Sequence, residues 1–317
     1  MRIDLLPSDE NFYKANLHCH SRDYDSAAGL TVAQLKELYK SHGYNIFAFS
    51  EHEKLTYNNE LNDEDFLALS AFETGLFDPE TRRIFHFNCF PKHDKVKESY
   101  ANFEYSLENA NKRIQSIVDE GYLVVYNHPV SSFHESNEYL GLKGIFAMEV
   151  YNNVVEIINR TGWSDVYYDM MLRHGHEIWA VAADDCHAGT EHPVVTPIDT
   201  PYSDCMGGFV MIKAKELKHA NIINALEKGD FYSCVGKNGK APQIHSMYVE
   251  NNIFYADFSP VKSVYLKNSY WHCPHQLSYE DDITHVEFEI DTEWTYIRLE
   301  ITDTYGHKAL GNPYFLT

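Results

Sequence analysis

The sequence has little positive charge and no long apolar stretch. Its 317 residues include 26 Lys and Arg against 47 Asp and Glu, a formal net charge of -21. A field of that sign repels nucleic-acid phosphates, and no stripe of Lys or Arg offsets it. No apolar run approaches the ~20 residues that a membrane span requires. We therefore expect neither a nucleic-acid polymer nor a membrane as partner.

Export signals and paired cysteines are also missing. Residues 1–10 have no basic start and no apolar run, which predicts that there is no signal peptide. The six cysteines are scattered without a Cys-x-x-Cys pair, which indicates reduced thiols in a cytoplasmic protein. With 44% hydrophobic residues, the chain can bury the core of one large domain plus a small one.

Strand and helix patterns alternate over the first three quarters of the chain. Such alternation with short connections is typical of an α/β fold with a parallel sheet, whose carboxyl strand ends form the catalytic face. Short apolar runs predict strands at 45–50, 66–72, 84–90, 122–126, 144–150, 178–183, 209–213 and 231–234. Helical spacing predicts helices at about 31–42, 106–120, 164–174 and 216–228.

The last part of the chain has a different pattern. From residue 244 to 317 alternating strands predict a small antiparallel β domain, expected to be a sandwich. We therefore divide the chain into residues 1–236 and 244–317. The Gly- and Lys-containing stretch between them is typical of an exposed linker, so the two parts are expected to be separable. The second part could also mediate self-association.

Metal-capable side chains recur at the predicted strand ends. In the extended segment 16–20, His18 and His20 project to the same side, and two such imidazoles can bind one divalent cation if more ligands arrive from elsewhere. Further His and acidic residues at equivalent positions indicate one shared metal site. They are His52, Glu73, His128, Asp185 and His187.

Five ordered segments resemble the motifs of the polymerase and histidinol phosphatase (PHP) superfamily. The segments are 16–25, 50–52, 73–86, 127–129 and 185–187, and the resemblance runs from about residue 15 to 234. It implies a distorted (β/α)7 TIM-like barrel that hydrolyses phosphoesters with up to three metal ions. Two positions depart from the family pattern, with Glu51 in place of Asp and Ser26 in place of Gly.

Carried over residue by residue, the resemblance implies three sets of metal ligands. Asp23 lies close to Asp25, and Asp25 is the preferred ligand of the two. Glu73, Asp185 and His187 are also assigned to catalysis. The sets are His18, His20, Glu73 and Asp185 for the first ion, Glu73, His86 and His128 for the second, and Asp25, His52 and His187 for the third.

Charge favours an anionic substrate at such a site. Six neutral imidazoles and three carboxylates carry -3, against +6 for three divalent ions. The surplus favours hydroxide and a phosphate dianion, and metal binding can lower the pKa of water from ~15.7 to ~7. Nitrogen and oxygen ligands without thiolate suit Zn, Mn or Fe. We therefore expect two or three divalent transition metals and attack by a metal-bound hydroxide.

The expected function is phosphomonoester hydrolysis on a small phosphorylated metabolite or nucleotide. Arg22 and Arg160 could clamp a phosphate. His134 and His192 could reach substrate from loops, although an exposed loop histidine is the preferred interpretation of each. Glu149 is interpreted as a supporting acid, and Asp184 is left open. The alternatives are a metal-dependent amidohydrolase or lactonase, disfavoured because no strand-end Lys could form a bridging carbamate, and a non-catalytic metal-containing binding protein.

Overall fold

A computed structural model describes residues 2–93, 103–188 and 202–316 of the chain. Within these ranges the helices are α1 (Val32–Ser41), α2 (Leu107–Asp119), α3 (Ser136–Tyr139), α4 (Asn153–Asn159), α5 (Asp165–Arg173) and α6 (His219–Lys228). None of these helices is long and apolar enough to cross a membrane.

The strands of the described residues fall into two sheets. In the first part of the chain they are β1 (Arg2–Asp4), β2 (Asn11–Asn16), β3 (Ile46–His52), β4 (Leu67–Phe77), β5 (Ile84–Pro91), β6 (Tyr122–Tyr126), β7 (Ala147–Asn152), β8 (Trp179–Ala183), β9 (Gly208–Ala214) and β10 (Phe231–Val235). The later strands are β11 (Ile244–Glu250), β12 (Ile253–Val261), β13 (Ser263–Asn268), β14 (His275–Leu277), β15 (Ile283–Glu289), β16 (Tyr296–Thr302), β17 (Lys308–Gly311) and β18 (Tyr314–Phe315).

The helices begin and end where local signals place them. The side chain of Thr31 caps α1 by accepting a hydrogen bond from the Gln34 amide. The Gln34 side chain accepts one from the Thr31 amide, and the two bonds form a capping box. Helix α6 ends at Gly229, whose φ of +79° is readily reached only without a side chain. The four helices expected from periodicity are therefore confirmed.

The large sheet is mixed. Strands β2, β3 and β4 are parallel, as are β6, β7 and β8, but β5 runs antiparallel to both of its neighbours. The chain between β4 and β5 is too short for a crossover and forms a hairpin instead. The expected parallel arrangement therefore holds on either side of β5. Strand β5 is antiparallel to both β4 and β6, so β4 and β6 run in the same direction. The carboxyl ends of all six parallel strands therefore lie at one edge of the sheet.

The two ends of this set of strands also meet through backbone contacts. An isolated parallel bridge joins Cys19 to Cys186. The Asp185 amide donates to the His18 carbonyl at 2.9 Å, and the His20 amide donates to the Cys186 carbonyl at 3.0 Å. The segments that follow β2 and β8 thus lie side by side, although they are about 167 residues apart.

A second sheet, in the order β1-β11-β12-β15, packs on the later strands of the large sheet. The predicted antiparallel pattern after residue 244 is present. The buried residues between the layers include Met247, Phe254, Ala256, Val264, Leu266, Leu299 and Ile301.

Backbone pairing crosses the predicted division between residues 1–236 and 244–317. Strand β17 pairs with β10, and β1 pairs with β11. The same buried cluster also contains Tyr39 and Phe47 from the first part. The boundary itself stays a prediction, but the two parts share sheet and core.

Candidate metal centre

The carboxyl edge of the large sheet carries most of the expected ligands. His18 and His20 follow β2, and His52 is the last residue of β3. His128 follows β6, and Asp185 follows β8. Because these strands are parallel, their side chains converge, as the sequence predicts.

Glu73 is the centre of the cluster. It lies inside β4 rather than at the expected strand end, because the hairpin with β5 extends that strand to Phe77. Its buried carboxylate lies close to five histidines. The contacts are 3.0 Å to His86 Nδ1, 3.4 Å to His128 Nε2 and 3.5 Å to His18 Nε2 from Oε1, and 3.1 Å to His52 Nε2 and 3.5 Å to His20 Nε2 from Oε2.

The first predicted set has the spacing of a metal site. His18 Nε2 and His20 Nε2 are 3.3 Å apart, and each lies 3.2 Å from Asp185 Oδ1. In a tetrahedral zinc site with nitrogen ligands, bonds of about 2.0–2.1 Å place ligand atoms about 3.3–3.4 Å apart. The atoms of His18, His20 and Asp185 thus have the separations of ligands to one divalent ion, and oxygens of Glu73 lie 3.5 Å from both histidines.

The second predicted set has the same character. His86 Nδ1 lies 3.3 Å from His128 Nε2, and both nitrogens face Oε1 of Glu73. One carboxylate thus belongs to both sets, so Glu73 is placed to bridge two ions.

The third predicted set is divided in the structure. Asp25 Oδ2 lies 3.3 Å from His52 Nδ1 and 3.9 Å from His187 Nε2. Within the described ranges, groups with all ligand atoms inside 4.8 Å join His20 to Asp25 and His52, and separately to Asp185 and His187. All nine predicted ligands therefore lie in one cluster, while their division among ions stays a prediction.

The choice between two neighbouring aspartates follows from their partners. Asp23 accepts a hydrogen bond from the Val32 amide at the start of α1, whereas Asp25 faces the histidines. The two departures from the family pattern lie outside the cluster. Glu51 accepts from Ser21, at 2.6 Å from its hydroxyl, and Ser26 is exposed.

Several polar residues orient the ligands without reaching the centre. Glu149 Oε1 lies 2.7 Å from His18 Nδ1, which directs the Nε2 atom of that ring into the cluster. The other oxygen of Glu149 accepts from the His128 amide and from Asn152, both at 2.9 Å. Asn127 donates to Glu73 at 2.8 Å. The predicted supporting role fits Glu149, whereas the sequence reasoning missed the two asparagines.

Asp184 has a different task. Its buried carboxylate accepts from the amides of Met206, Gly207 and Gly208 and from the Tyr39 hydroxyl, at 2.7–2.8 Å. Burial raises its pKa to about 6, and these donors oppose the rise. Asp184 therefore stabilises the backbone of residues 206–208 next to the cluster.

The electrostatics of the cluster suit a cation. Burial alone would lower the pKa of His18, but Asp185, Glu149 and Glu73 together raise it well above its usual range. For His20 burial dominates, and its pKa falls to about 4. Burial would raise the pKa of Asp185, but the neighbouring histidines hold it well below its usual range. The carboxylates are thus held ionised at neutral pH, and positive charge stabilises them.

The four predicted substrate contacts have different surroundings. Arg22 is exposed. The side chain of Arg160 is 72% exposed and pairs with Glu156 at 3.5 Å. His134 was expected on a loop surface but is buried, stacked on Phe85 at 4.1 Å, because aromatic side chains enclose it. His192 lies outside the described residues.

No protein-family model and no curated protein matches the chain. Several solved structures are similar to it. One, from Bacteroides vulgatus, is described as a two-domain protein containing a predicted PHP-like metal-dependent phosphoesterase, with 12% identity and a TM-score of 0.44 over 98% of this chain and 96% of that one.

Another similar structure, from Bifidobacterium adolescentis, is described as a candidate metal-dependent phosphoesterase. It is 12% identical with a TM-score of 0.40, over 58% of this chain and 91% of that one. At such distances the likeness does not bear on the reaction, which must be inferred from the side chains.

Proposed function

We propose that the chain is a metal-dependent phosphoesterase that removes phosphate from a small monoester. The observation that carries this proposal is Glu73, a buried carboxylate within 3.5 Å of nitrogen atoms of five histidines. A carboxylate so placed can hold two ions close together, which is the arrangement that phosphate chemistry uses.

The chain's own residues supply the positions and the charge. His18, His20 and Asp185 would hold one ion, and His86 and His128 the second. Bound ions lower the pKa of water and stabilise negative charge on a phosphoryl group. The ligand atoms are nitrogen and oxygen, which suits Zn, Mn or Fe in two or three sites. The sulfur atoms of the buried Cys19 and Cys186 lie 3.0 Å apart, so this contact is between the two thiols and not with a metal ligand.

A cavity at the same edge of the sheet is the proposed place for the rest of the substrate, and none of the nine predicted ligands lines it. The cavity, of about 540 Å³, is lined by Tyr151, Asn153, Arg160, Lys237 and Tyr305, among others. It adjoins the carboxyl ends of β7 and β10, and β10 is parallel to β2 because β9 is antiparallel to both. Its size is typical of small-molecule sites. We assign it to the leaving group of a phosphorylated metabolite or nucleotide, with Arg160 beside it.

The remaining parts of the proposal follow from the same arrangement. The contacts between Cys19 and Cys186 support a distorted (β/α)7 barrel closed between β2 and β8. The β-rich part is proposed as a sandwich that could mediate self-association. The net charge of -21 supports an enzyme that acts on small substrates rather than polymers, and the scattered cysteines support a cytoplasmic location.

Elemental analysis tests the metal centre. Protein purified without chelator, or reloaded with Mn or Zn, is expected to hold two or three ions per chain. One ion or none in a well-folded sample contradicts the proposed metal centre. A chain that binds metal but hydrolyses none of the assayed substrates supports the alternative of a non-catalytic binding protein.

Activity tests the reaction class. Metal-loaded protein is assayed against phosphomonoesters, phosphodiesters, amides and lactones, and we expect turnover of a monoester. Glu73→Gln should lower kcat at least about 100-fold, since even residues that only support metal ligands cost 10–100-fold. The exposed Glu64→Gln is the matched control. Near-native turnover by Glu73→Gln contradicts the bridging role, and hydrolysis of amides or lactones alone contradicts the reaction class.

A further inference from the structure

A buried arginine lies directly behind the metal ligands. Arg113 in α2 is 2% exposed, and its Nη2 atom is 2.8 Å from Glu53 Oε2. Its Nε atom donates to Thr74 Oγ1 at 3.2 Å. A guanidinium is rarely buried unless it is paired and hydrogen-bonded, because its desolvation is costly. The pair thus joins a buried guanidinium to a half-exposed carboxylate.

Glu53 occupies an unusual backbone position. It follows His52 directly and has a φ of +52°, a left-handed conformation that side chains disfavour. Its amide donates to the Glu73 carbonyl at 2.7 Å. Its Oε1 atom accepts from Thr74 Oγ1 at 2.8 Å and from the Gly75 amide at 2.9 Å. Both its backbone and its side chain are thus tied to β4.

His52 needs such support more than the other ligands that surround Glu73. Its side chain is 45% exposed, whereas those of His18 and His20 are completely buried. Packing alone therefore fixes His18 and His20 but leaves one side of the His52 ring free. The other side stacks on His20 with 4.2 Å between ring centroids, and the backbone of the next residue adds to this contact in setting the direction of the ring.

We infer that the Arg113–Glu53 ion pair positions His52 against Glu73 and thereby sets the affinity of the ion bound by His52. Each segment that the pair joins carries a ligand: His52 precedes Glu53, and Glu73 precedes Thr74. Neither Arg113 nor Glu53 reaches the ions, so both are positioning residues. The inference rests on the proposed metal centre but not on the reaction it performs.

Cobalt titration of the full chain separates positioning from simple stabilisation. Co²⁺ absorption and elemental analysis give the number and the affinity of the bound ions. In Arg113→Met and Glu53→Gln we expect one class of ion to bind about 10–100-fold more weakly, the usual cost of losing a group that supports a ligand. The ions held by His18 and His128 should bind as in the wild type. Arg113→Lys, which keeps the charge, should recover part of the lost affinity.

The control is a more exposed arginine pair that contacts neither the residue after His52 nor the residue after Glu73. Arg83 in the β4–β5 turn pairs with Glu135 at 2.7 Å and Glu138 at 3.1 Å, and Arg83→Met should leave cobalt binding unchanged. If Arg113→Met does not fold, Glu53→Gln still tests the inference, since the Glu53 side chain is half exposed.

Two results would overturn the positioning role. Wild-type cobalt binding in both Glu53→Gln and a folded Arg113→Met would make the pair merely structural. A wild-type chain that binds no cobalt would overturn the inference together with the proposed function. If the wild type binds cobalt but hydrolyses no phosphoester, only the proposed function fails. Weakened cobalt binding in the variants would then still support the positioning role of the Arg113–Glu53 pair.

Discussion

A buried ion pair between α5 and β16 couples the two predicted parts of the chain. Asp169 and Arg298 are 6% and 3% exposed, and Asp169 Oδ1 lies 2.9 Å from Nε and 2.8 Å from Nη2 of Arg298. Burial opposes the charge on Arg298, but Asp169 and Glu300 keep its pKa above the usual range. Removing either member leaves the other buried with only a longer ionic contact, which is Glu300 at 3.5 Å for Arg298 and Lys267 at 3.5 Å for Asp169.

The expected loss is large for a single substitution. Breaking a buried pair by removing one partner costs about 3–5 kcal/mol. We expect urea unfolding of Asp169→Asn and Arg298→Met to show losses of that order in the free energy of unfolding. The double variant should lose less than the sum of the two, by about 1–3 kcal/mol, because the contact can be lost only once.

An exposed pair provides the comparison. Lys112 and Glu108 lie 2.6 Å apart on the surface of α2, and Lys112→Ala should cost about 0.5 kcal/mol or less. If Asp169→Asn and Arg298→Met cost no more than Lys112→Ala, or if their effects simply add, the buried pair does not couple the two parts.

Two further predictions concern the same junction. Ending the chain after Gly236 removes β17, which pairs with β10, and Arg298, which pairs with Asp169. We therefore expect residues 1–236 to be insoluble or far less stable than the full chain. A soluble fragment whose unfolding transition is unchanged contradicts this expectation. Burial lowers the pKa of Lys14 from 10.5 to about 8, so the folded chain binds fewer protons between these values and the free energy of unfolding should rise from pH 8 to pH 10.5. Urea unfolding of Lys14→Met should show a smaller rise, and an equal rise in both proteins would be evidence against this.

Element positions were predictable because their signals are local. The apolar run at 122–126 is β6, and the helix expected at about 106–120 is α2 between Leu107 and Asp119. Ser106 caps that helix through a contact three residues away. Such signals require only a period of hydrophobicity and a capping residue, both of which are visible in one short window.

Pairing between distant strands was not predictable in the same way. Strand β1 has three exposed residues and forms only because β11, more than 240 residues later, lies beside it. The pairing of β10 with β17 likewise depends on which edge is free once the rest has folded. A hydrophobic pattern is the same for either partner or direction, so it does not decide between them.

Most of the candidate ligands were predictable because they end or follow a recognisable strand, whereas Asp25 and His86 were assigned from the family resemblance. The supports of the ligands were not predictable, since Asn127, Asn152 and Arg113 act through contacts made only after folding. Arg113 in particular lies on a helix in which an arginine normally indicates a solvated face. His134 was misplaced for the same reason, because only the packed structure encloses it.

Three consecutive residues in β4 show how the centre depends on neighbours that bind nothing. Glu73 and Gly75 share a face of the strand, and Thr74 points to the other. Gly75 pairs with His86 across the ladder, and a Cβ there would overlap the imidazole ring of His86. The ring can therefore approach Glu73, at 3.0 Å, only because position 75 has no side chain. On the opposite face Thr74 accepts a hydrogen bond from Arg113. In this segment Glu73 is a candidate ligand, Thr74 contacts the buried arginine, and Gly75 leaves space for the ring of His86.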